Sequence, residues 1–585
     1  MKYLRLLLLK SPFFVLIPLW ISAQPISESK PSFPVQPQFA EGLSIESVII
    51  ILEKQNEKVI ADSLESEAFY SAFQLRPGSV FRQSFADYAI NRIIEQEFIK
   101  EVRYELFNTN YSSPVVLVVH VSYLKPGEHK IIEGKKGMVK TAALRDFPLI
   151  IETNRSQLSF LLNGGAGLFN ENNAFFSKGA EFTQGNPIAD NPAGKGERFW
   201  GEIFLEPGIA GISKIGKSKF FAYGAASVLI SGRNTSDIYS NGSTIFIDFE
   251  RLYAGILVAG LGKNKQTNID ISAGRQFFQL NDGFLISKYS GSANAGERGS
   301  VYLNARTAFE KTIIIRSQIK NWHLQAFFLE PEELFKDYQT NTNYTGFSVM
   351  YNNNKRIDAG LSYINNSGGN TQYATPQGNF GKKGMYIINP KLWLKDIATT
   401  GIFFKSEYAY QAHSSANMRS NAWYAGLGIK KEKWNLRPSF YYRYAYMQGD
   451  DSTTSRYENF DPMLTGGLGD WVQGINFRKI IGNGNIISHR VELKANFTKN
   501  FEAAIDYFFL KAHTLSNLGA LAPISKLNEN AYGQEWTITT RYVPSKHFML
   551  LGILSYAKPG DAIRKAFPDE IYAWTSIQAA LFMFF

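Results

Sequence analysis

Apolar and polar residues alternate along many segments of the chain's last third. From Arg490 to Phe497 the apolar positions are Val491, Leu493, Ala495 and Phe497, and the polar ones are Arg490, Glu492, Lys494 and Asn496. A turn at Thr498-Lys499-Asn500 follows, and the next segment sets Ala503, Ile505, Tyr507 and Phe509 against Glu502, Ala504 and Asp506. Trp536, Ile538 and Tyr542 oppose Glu535, Thr537, Thr539 and Arg541, while Tyr442, Tyr444 and Tyr446 oppose Arg437, Tyr441 and Arg443. A period of two is that of a β-strand with different surroundings on its two faces. A soluble sandwich turns its charged face outward. Here ionic residues recur opposite aromatic ones, with short turns at one end, which predicts a lipid-facing exterior around a polar lumen. The longest apolar runs, such as 115–119, are strand-length rather than helix-length, and only helices and closed barrels satisfy their backbone hydrogen bonds in lipid.

The pattern therefore predicts a mainly β protein, with a transmembrane antiparallel barrel over residues 149–585. At roughly 24 residues per strand and loop, its length gives about 16–18 strands. Such a barrel is wide enough for an aqueous lumen unless loops or a plug fill it. Gly-, Asn- and Ser-rich stretches at 164–196, 363–382 and 449–471 are predicted extracellular loops.

The first quarter reads differently. Residues 1–23 have the form of a secretory signal, with Lys2, Arg5 and Lys10 before an apolar stretch at 13–21 and the small pair Ser22-Ala23. Three cations and no acid leave with it, so the formal charge of +11 becomes +8. Residues 24–42 and 126–148 read as linkers. Between them, residues 43–125 predict a strand at 45–52 and a helix at 62–73 with Leu64, Ala68 and Phe69 on one side. A turn at Leu75-Arg76-Pro77-Gly78-Ser79 leads to a second helix capped by Ser84, with Phe85, Ala89, Ile90, Ile93 and Ile94 on one face. Strands at 102–107 and 115–123 complete the order β-α-α-β-β.

That order, the Leu75-x-Pro77-Gly78 turn, the helix carrying Ile90 and Ile93, and Phe98-x-x-x-Val102 resemble a polypeptide-transport-associated (POTRA) domain. The resemblance implies a periplasmic domain beside a barrel, whose sheet edge accepts a periplasmic polypeptide strand. A plug, a peptidoglycan spacer or a barrel-docking module fits the same pattern.

Composition narrows the chemistry. With no cysteine there is no disulfide, Cys-ligated zinc, iron–sulfur cluster or thiol nucleophile. The chain holds 45 Phe and 30 Tyr, and lipid-facing strands account for that excess; with no run of five Lys or Arg, nucleic acid is set aside. The seven His show no metal spacing. Trp322-His323 and Ser488-His489 read as strand residues, and Ser488 and His489, as strand neighbours, point to opposite faces and cannot form a dyad. No catalytic residue, metal or cofactor is predicted.

Three patterns resemble the alginate-export family of outer-membrane barrels. They are Gly274-Arg275-Gln276 with Leu280-Asn281-Asp282-Gly283 and Leu285-Ile286; Gly449-Asp450-Asp451 with Phe460-Asp461-Pro462; and Gly533-Gln534-Glu535 with Lys558-Pro559-Gly560-Asp561. They occur in the family's order. The chain departs from the family in its POTRA-like domain and in residues 150–260, which match poorly. The resemblance implies a passive outer-membrane channel for an anionic polysaccharide. Outer-membrane barrels commonly end in a terminal aromatic, and the alternating segment Ile577, Ala579, Leu581, Met583, Phe585 implies recognition by the barrel-insertion machinery.

Lumen arginines and lysines would attract carboxylates. Inward parity selects Arg443, Arg490, Lys494 and Arg541; Gln276 and Glu535 belong to the family patterns. Arg275 falls on the apolar parity of Ile269 and Ile271 unless a bulge intervenes. Asp282, Asp450, Asp451 and Asp461 order loops or pair with lumen arginines. For every one of these the plainer reading is a structural salt-bridge ladder filling the barrel interior. A second function stays open, a POTRA-barrel protein translocase or assembly factor. Such proteins carry a Val-Arg-Gly-Tyr/Phe type motif, which Glu297-Arg298-Gly299-Ser300 matches poorly. A third is an adhesive or capsule-anchoring barrel with a closed lumen.

Overall fold

Alternating side chains and a continuous hydrogen-bond register close the chain into a barrel. The computed structural model describes residues 33–54, 57–60, 75–94, 96, 98–108, 114–124, 149–153, 155–183, 194–262, 267–287, 299–333, 339–353, 356–375, 378–465, 471, 473–518 and 522–585. The signal region, the helix at 62–73, the linker at 126–148 and the pair Glu297-Arg298 lie outside the described residues.

Among the described residues, eighteen antiparallel strands run in sequence order from Ser156–Asn172 to Trp574–Phe584. The last strand pairs with the first, Phe584 opposite Asn163 and Thr575 opposite Asn172, and Leu162 and Phe585 exchange both backbone hydrogen bonds. Closure leaves no unpaired edge in lipid. A short strand, Leu149–Glu152, covers the start of Ser156–Asn172 where the last strand does not reach. Hairpins at one end are short, as at 320–321 and 546–547, and connections at the other are long, as at 277–308 and 448–485. With both chain ends of the barrel at the short-turn end, that end is periplasmic.

The predicted parity holds. Leu493 and Phe497 are half exposed to the outside, while Arg490, Glu492 and Lys494 are buried inward. Ile577 and Leu581 face lipid, and Trp574, Ser576 and Phe582 face inward. The region 164–196 differs from expectation, because residues 164–172 are strand rather than loop. Its glycines make space: a Cβ on Gly165 would sit 2.4 Å from the Phe204 ring, and one on Gly167 would sit 2.8 Å from both Leu303 and Phe169. Glycine there admits large rings from neighbouring chain, and the backbone pairing is kept.

The N-terminal domain is a five-stranded sheet with the order Pro34–Val35, Ile99–Phe107, Val115–Tyr123, Ile45–Lys54, Glu57–Ile60. Ile45–Lys54 and Val115–Tyr123 run parallel. The hairpin strand Glu57–Ile60 and the two-residue strand Pro34–Val35 are additions to the predicted order. The helix Gln83–Ile94 lies on one face, burying Ala86, Ala89, Ile90 and Ile93.

This domain does not stand free beside the barrel. Its core is continuous with Ile212, Tyr223, Leu257 and Ala259 of the inner wall. Phe85 meets Tyr223 edge-on at 4.9 Å, Tyr88 meets Phe221 at 5.8 Å, and Asn91 donates to Gln157 at 2.9 Å. Gly78 (φ +83) brings the Pro77-Gly78 turn so close to His323 that a Cβ would lie 2.1 Å from its Nε2. The domain therefore seats in the periplasmic mouth, helix against wall.

Candidate functional site

The lumen is filled from both ends. From above, the long connections fold inward and bury Phe278, Phe284, Leu285, Trp471 and Phe477 against lumen-facing wall residues such as Tyr344 and Tyr424. The three sequence patterns, distant along the chain, converge here. Ile286 of the first pattern bridges in parallel to Leu464 of the loop carrying the second, with Leu464 N–H on the Leu285 carbonyl at 3.1 Å and Ser287 N–H on the Leu464 carbonyl at 3.0 Å. Glu535 of the third is fully buried and accepts backbone N–H bonds from Ile475, Asn476 and Phe477 of that same loop, the last at 3.0 Å.

The predicted acids thus act mainly on loops. Asp282 accepts the Tyr424 hydroxyl at 2.9 Å. Asp450 accepts Glu458 N–H at 2.8 Å, and Asp451, in a solvent-exposed turn, accepts Thr453 N–H at 2.9 Å. Asp461 takes the Lys382 ammonium and the Tyr373 hydroxyl, each at 2.6 Å. Burial pushes the Asp461 carboxyl upward, but Lys382 and Tyr373 outweigh it and hold it below the usual carboxylate range. For Lys382, burial opposes the charge and Asp461 and Tyr344 outweigh it, so its pKa is raised.

The predicted cations divide. Arg490 bonds Asp506 at 2.7 Å and Glu492 at 2.6 Å, Lys494 lies 3.6 Å from Glu492, and Arg541 bonds Glu502 at 2.8 Å and stacks over Phe33 at 4.2 Å. Arg443, 1 % exposed, stacks over the Trp471 ring at 4.2 Å. Arg275 is on the apolar parity, but the register shifts between Gly274 and Gln276, and its guanidinium reaches Glu332 at 2.5 Å, a carboxylate shared with Arg306. Gln276 donates to Thr312 at 2.8 Å and accepts from Arg82 at 3.3 Å. The predicted lumen residues are therefore spread over the interior, many of them in ion pairs, as a salt-bridge ladder requires.

Sequence reasoning missed two groups. One is Arg82, which the N-terminal domain inserts between the Tyr223 and Tyr253 rings at 5.0 and 5.2 Å, 3.9 Å from Asp270. Tyr223, Tyr253 and Asp270 outweigh burial and raise the Arg82 pKa. The other is a lysine wall on three neighbouring strands. Met385–Ile397 carries Lys391 and Lys395, Ile402–His413 carries Lys405, and Arg419–Lys430 carries Lys430. Lys395 pairs with Asp358 at 2.9 Å. Lys391 and Lys405 instead approach the Trp393 ring at 3.3 and 4.5 Å, and Lys430 approaches Phe403 at 5.1 Å. Among the described residues, Lys391, Lys405 and Lys430 have no carboxylate within 4.0 Å. The signal was present as Ile387-x-Asn389-x-Lys391-x-Trp393-x-Lys395, an alternation as regular as that at 490–497.

Comparison with known proteins bears on this interior. The profile of a family described as alginate export matches residues 245–572, which contain all three patterns and the lysine wall. No curated protein matches the chain. Similar solved structures include Pseudomonas aeruginosa OccK5 (OpdH), at 12% identity over 73% of this chain and 98% of that one, with a TM-score of 0.42. Pseudomonas aeruginosa OpdL is 10% identical over 74% and 98%, and Acinetobacter baumannii OccAB2 is 12% identical over 73% and 98%, each with a TM-score of 0.43.

Proposed function

The chain belongs to the alginate export family, and from that premise we propose that this bacterial outer-membrane channel passes an anionic polysaccharide through its lumen without catalysing a reaction. The observation that carries the reading is the lysine wall. Lys391, Lys405 and Lys430 face inward on three adjacent strands; Lys405 and Lys430 have, among the described residues, no carboxylate within 4.0 Å, and Lys391 stands opposite Glu407 in the register. Cations surrounded by low-dielectric walls raise the local concentration of carboxylates. Lysine ammonium groups offer several donors each and leave a flexible polyanion free to move on. Arg443 extends the same charge upward beside Trp471.

The loop framework and the seated N-terminal domain support a channel held closed at rest. Transport then requires the domain or the loops to yield, and a glycan arriving from the periplasm meets the domain first. The strand-accepting alternative is less favoured, because Pro34–Val35 already pairs with Leu106 and Phe107 along one sheet edge and the domain's helix is packed against the barrel wall.

Reconstitution in planar bilayers tests the reading. Transient anion-selective openings that soluble alginate blocks are the expected result. Cation selectivity, or anion current indifferent to alginate, overturns it.

A further inference from the structure

At the periplasmic end of the lysine wall, two rings lie flat against the barrel. Phe403 and Tyr441 flank Gly428, each as its register partner, one on either neighbouring strand. Their rings stack with centroids 5.6 Å apart and planes 20° from parallel. They lie down because the strand between them has no side chain to lift them. A Cβ on Gly428 would sit 2.2 Å from the Phe403 ring, and one on Gly426 would sit 2.2 Å from the Tyr441 hydroxyl. Lys405 follows Phe403 on the same face and Lys430 follows Gly428, so a lysine stands on either side of the aromatic surface. All four side chains are half-buried, unlike the sealed Trp393 above them.

A flat aromatic surface bracketed by ammonium groups matches an acidic sugar. The ring's C–H face packs on the aromatics and its carboxylate takes charge-assisted bonds. The N-terminal domain reaches this same wall. Glu46 is the second residue of its strand Ile45–Lys54, and the Glu46 backbone carbonyl accepts the Lys395 ammonium at 3.4 Å. Burial pushes the Glu46 carboxyl up, but Lys395, Lys430, Lys405 and Lys391 together hold it below the usual range.

We propose that Phe403, Tyr441, Lys405 and Lys430 form the entry subsite for an acidic sugar residue of the glycan, and that Glu46 stands in for the sugar's carboxylate while the channel is closed. The inference rests on the channel reading above. The incoming polyanion competes with Glu46 for the lysines, and winning them releases the edge of the domain from the wall. Lys405 and Lys430 thus both bind the substrate and help to hold the plug.

The test uses the full chain in lipid nanodiscs, with a short alginate oligosaccharide and a neutral oligosaccharide of equal length as probes. Calorimetry should show alginate binding that falls at least about tenfold in the double variant Lys405→Gln/Lys430→Gln, the scale of losing hydrogen bonds to a charged group. Lys405→Arg/Lys430→Arg should retain it, and Glu46→Gln should tighten it several-fold. Heat-dependent migration on gels reports that each variant is a folded barrel. Wild-type binding and block by alginate with an unchanged Lys405→Gln/Lys430→Gln variant overturns the subsite and leaves the channel reading standing. Unchanged or weaker binding in Glu46→Gln overturns the stand-in role. Equal affinity for the neutral probe, or no alginate binding and no block in the wild type, overturns the subsite and the channel reading together.

Discussion

Arg443 and Arg490 stand directly opposite each other on neighbouring strands, both turned into the lumen and both buried. Like charges at a cross-strand position are unfavourable. Arg490 is offset by Asp506 at 2.7 Å and Glu492 at 2.6 Å, whereas Arg443 presents its plane to the Trp471 ring at 4.2 Å. These surroundings, carboxylates for Arg490 and an aromatic face for Arg443, predict different roles for the two arginines.

Substitution separates those roles. Arg490→Gln leaves two buried carboxylates facing each other and should destabilise the barrel by about 3 kcal/mol, the range for breaking a buried pair. Arg443→Gln should leave the barrel folded and reduce anion preference. Heat-modified gel mobility and reversal potential read the two effects; equal loss of stability in both variants contradicts the distinction.

Arg82 anchors the N-terminal domain to the inner wall of the barrel. It sits between Tyr223 and Tyr253, beside Asp270, and donates to Gln276. Arg82→Ala removes the cation from between two rings and its bond to Gln276, while Arg316 still stands 3.7 Å from Asp270, so the loss at the docking surface is about 2 kcal/mol. The expected outcome is faster protease cleavage within residues 33–123 and more frequent channel opening. An unchanged cleavage rate shows that the helix contacts alone hold the domain.

Glu535 holds the loop at 475–477 through three backbone N–H groups. Glu535→Ala orphans these donors at about 1–3 kcal/mol each if they stay buried, so the loop should leave the lumen instead. Larger single-channel conductance and accelerated amide exchange at 475–477 are expected. Conductance equal to the wild type's places the constriction elsewhere.

The Lys382–Asp461 pair predicts a pH window. The depressed carboxyl of Asp461 contributes stability above the ordinary carboxylate value of about 3.9, and that contribution is lost as pH falls through its lower folded value. The raised Lys382 contributes below the ordinary lysine value of about 10.4, and its contribution is lost as pH rises through the higher folded value. Amide exchange near Met463, whose N–H donates to Asp461 at 2.7 Å, should be slow at neutral pH and accelerate in strong acid. Asp461→Asn should exchange faster at neutral pH and lose most of the acid dependence.

Much of the architecture was legible in the residues. The alternation at 490–497 and 577–585 placed the lipid face correctly, because a strand's period of two is a local property of backbone geometry. The inward parity of Arg443, Arg490, Lys494 and Arg541 followed from the same rule. Arg275 shows where the rule ends. A bulge at Gly274 shifts the register, and no local pattern announces it. At 164–172, glycine was read as loop chemistry, yet it serves a strand crowded by Phe204 and Leu303.

The sequence by itself determined that this chain makes a closed barrel with a wet inner face, a small α/β domain before it, and basic residues inside. Only the tertiary structure decided what fills that interior. The meeting of Ile286 with Leu464, the seating of the helix Gln83–Ile94 on the wall, and the 349-residue separation between Glu46 and Lys395 are contacts between distant parts of the chain. Periodicity reports which way a side chain points. It does not report what lies across the lumen, because that depends on where independent loops find space and partners once the wall has closed around them.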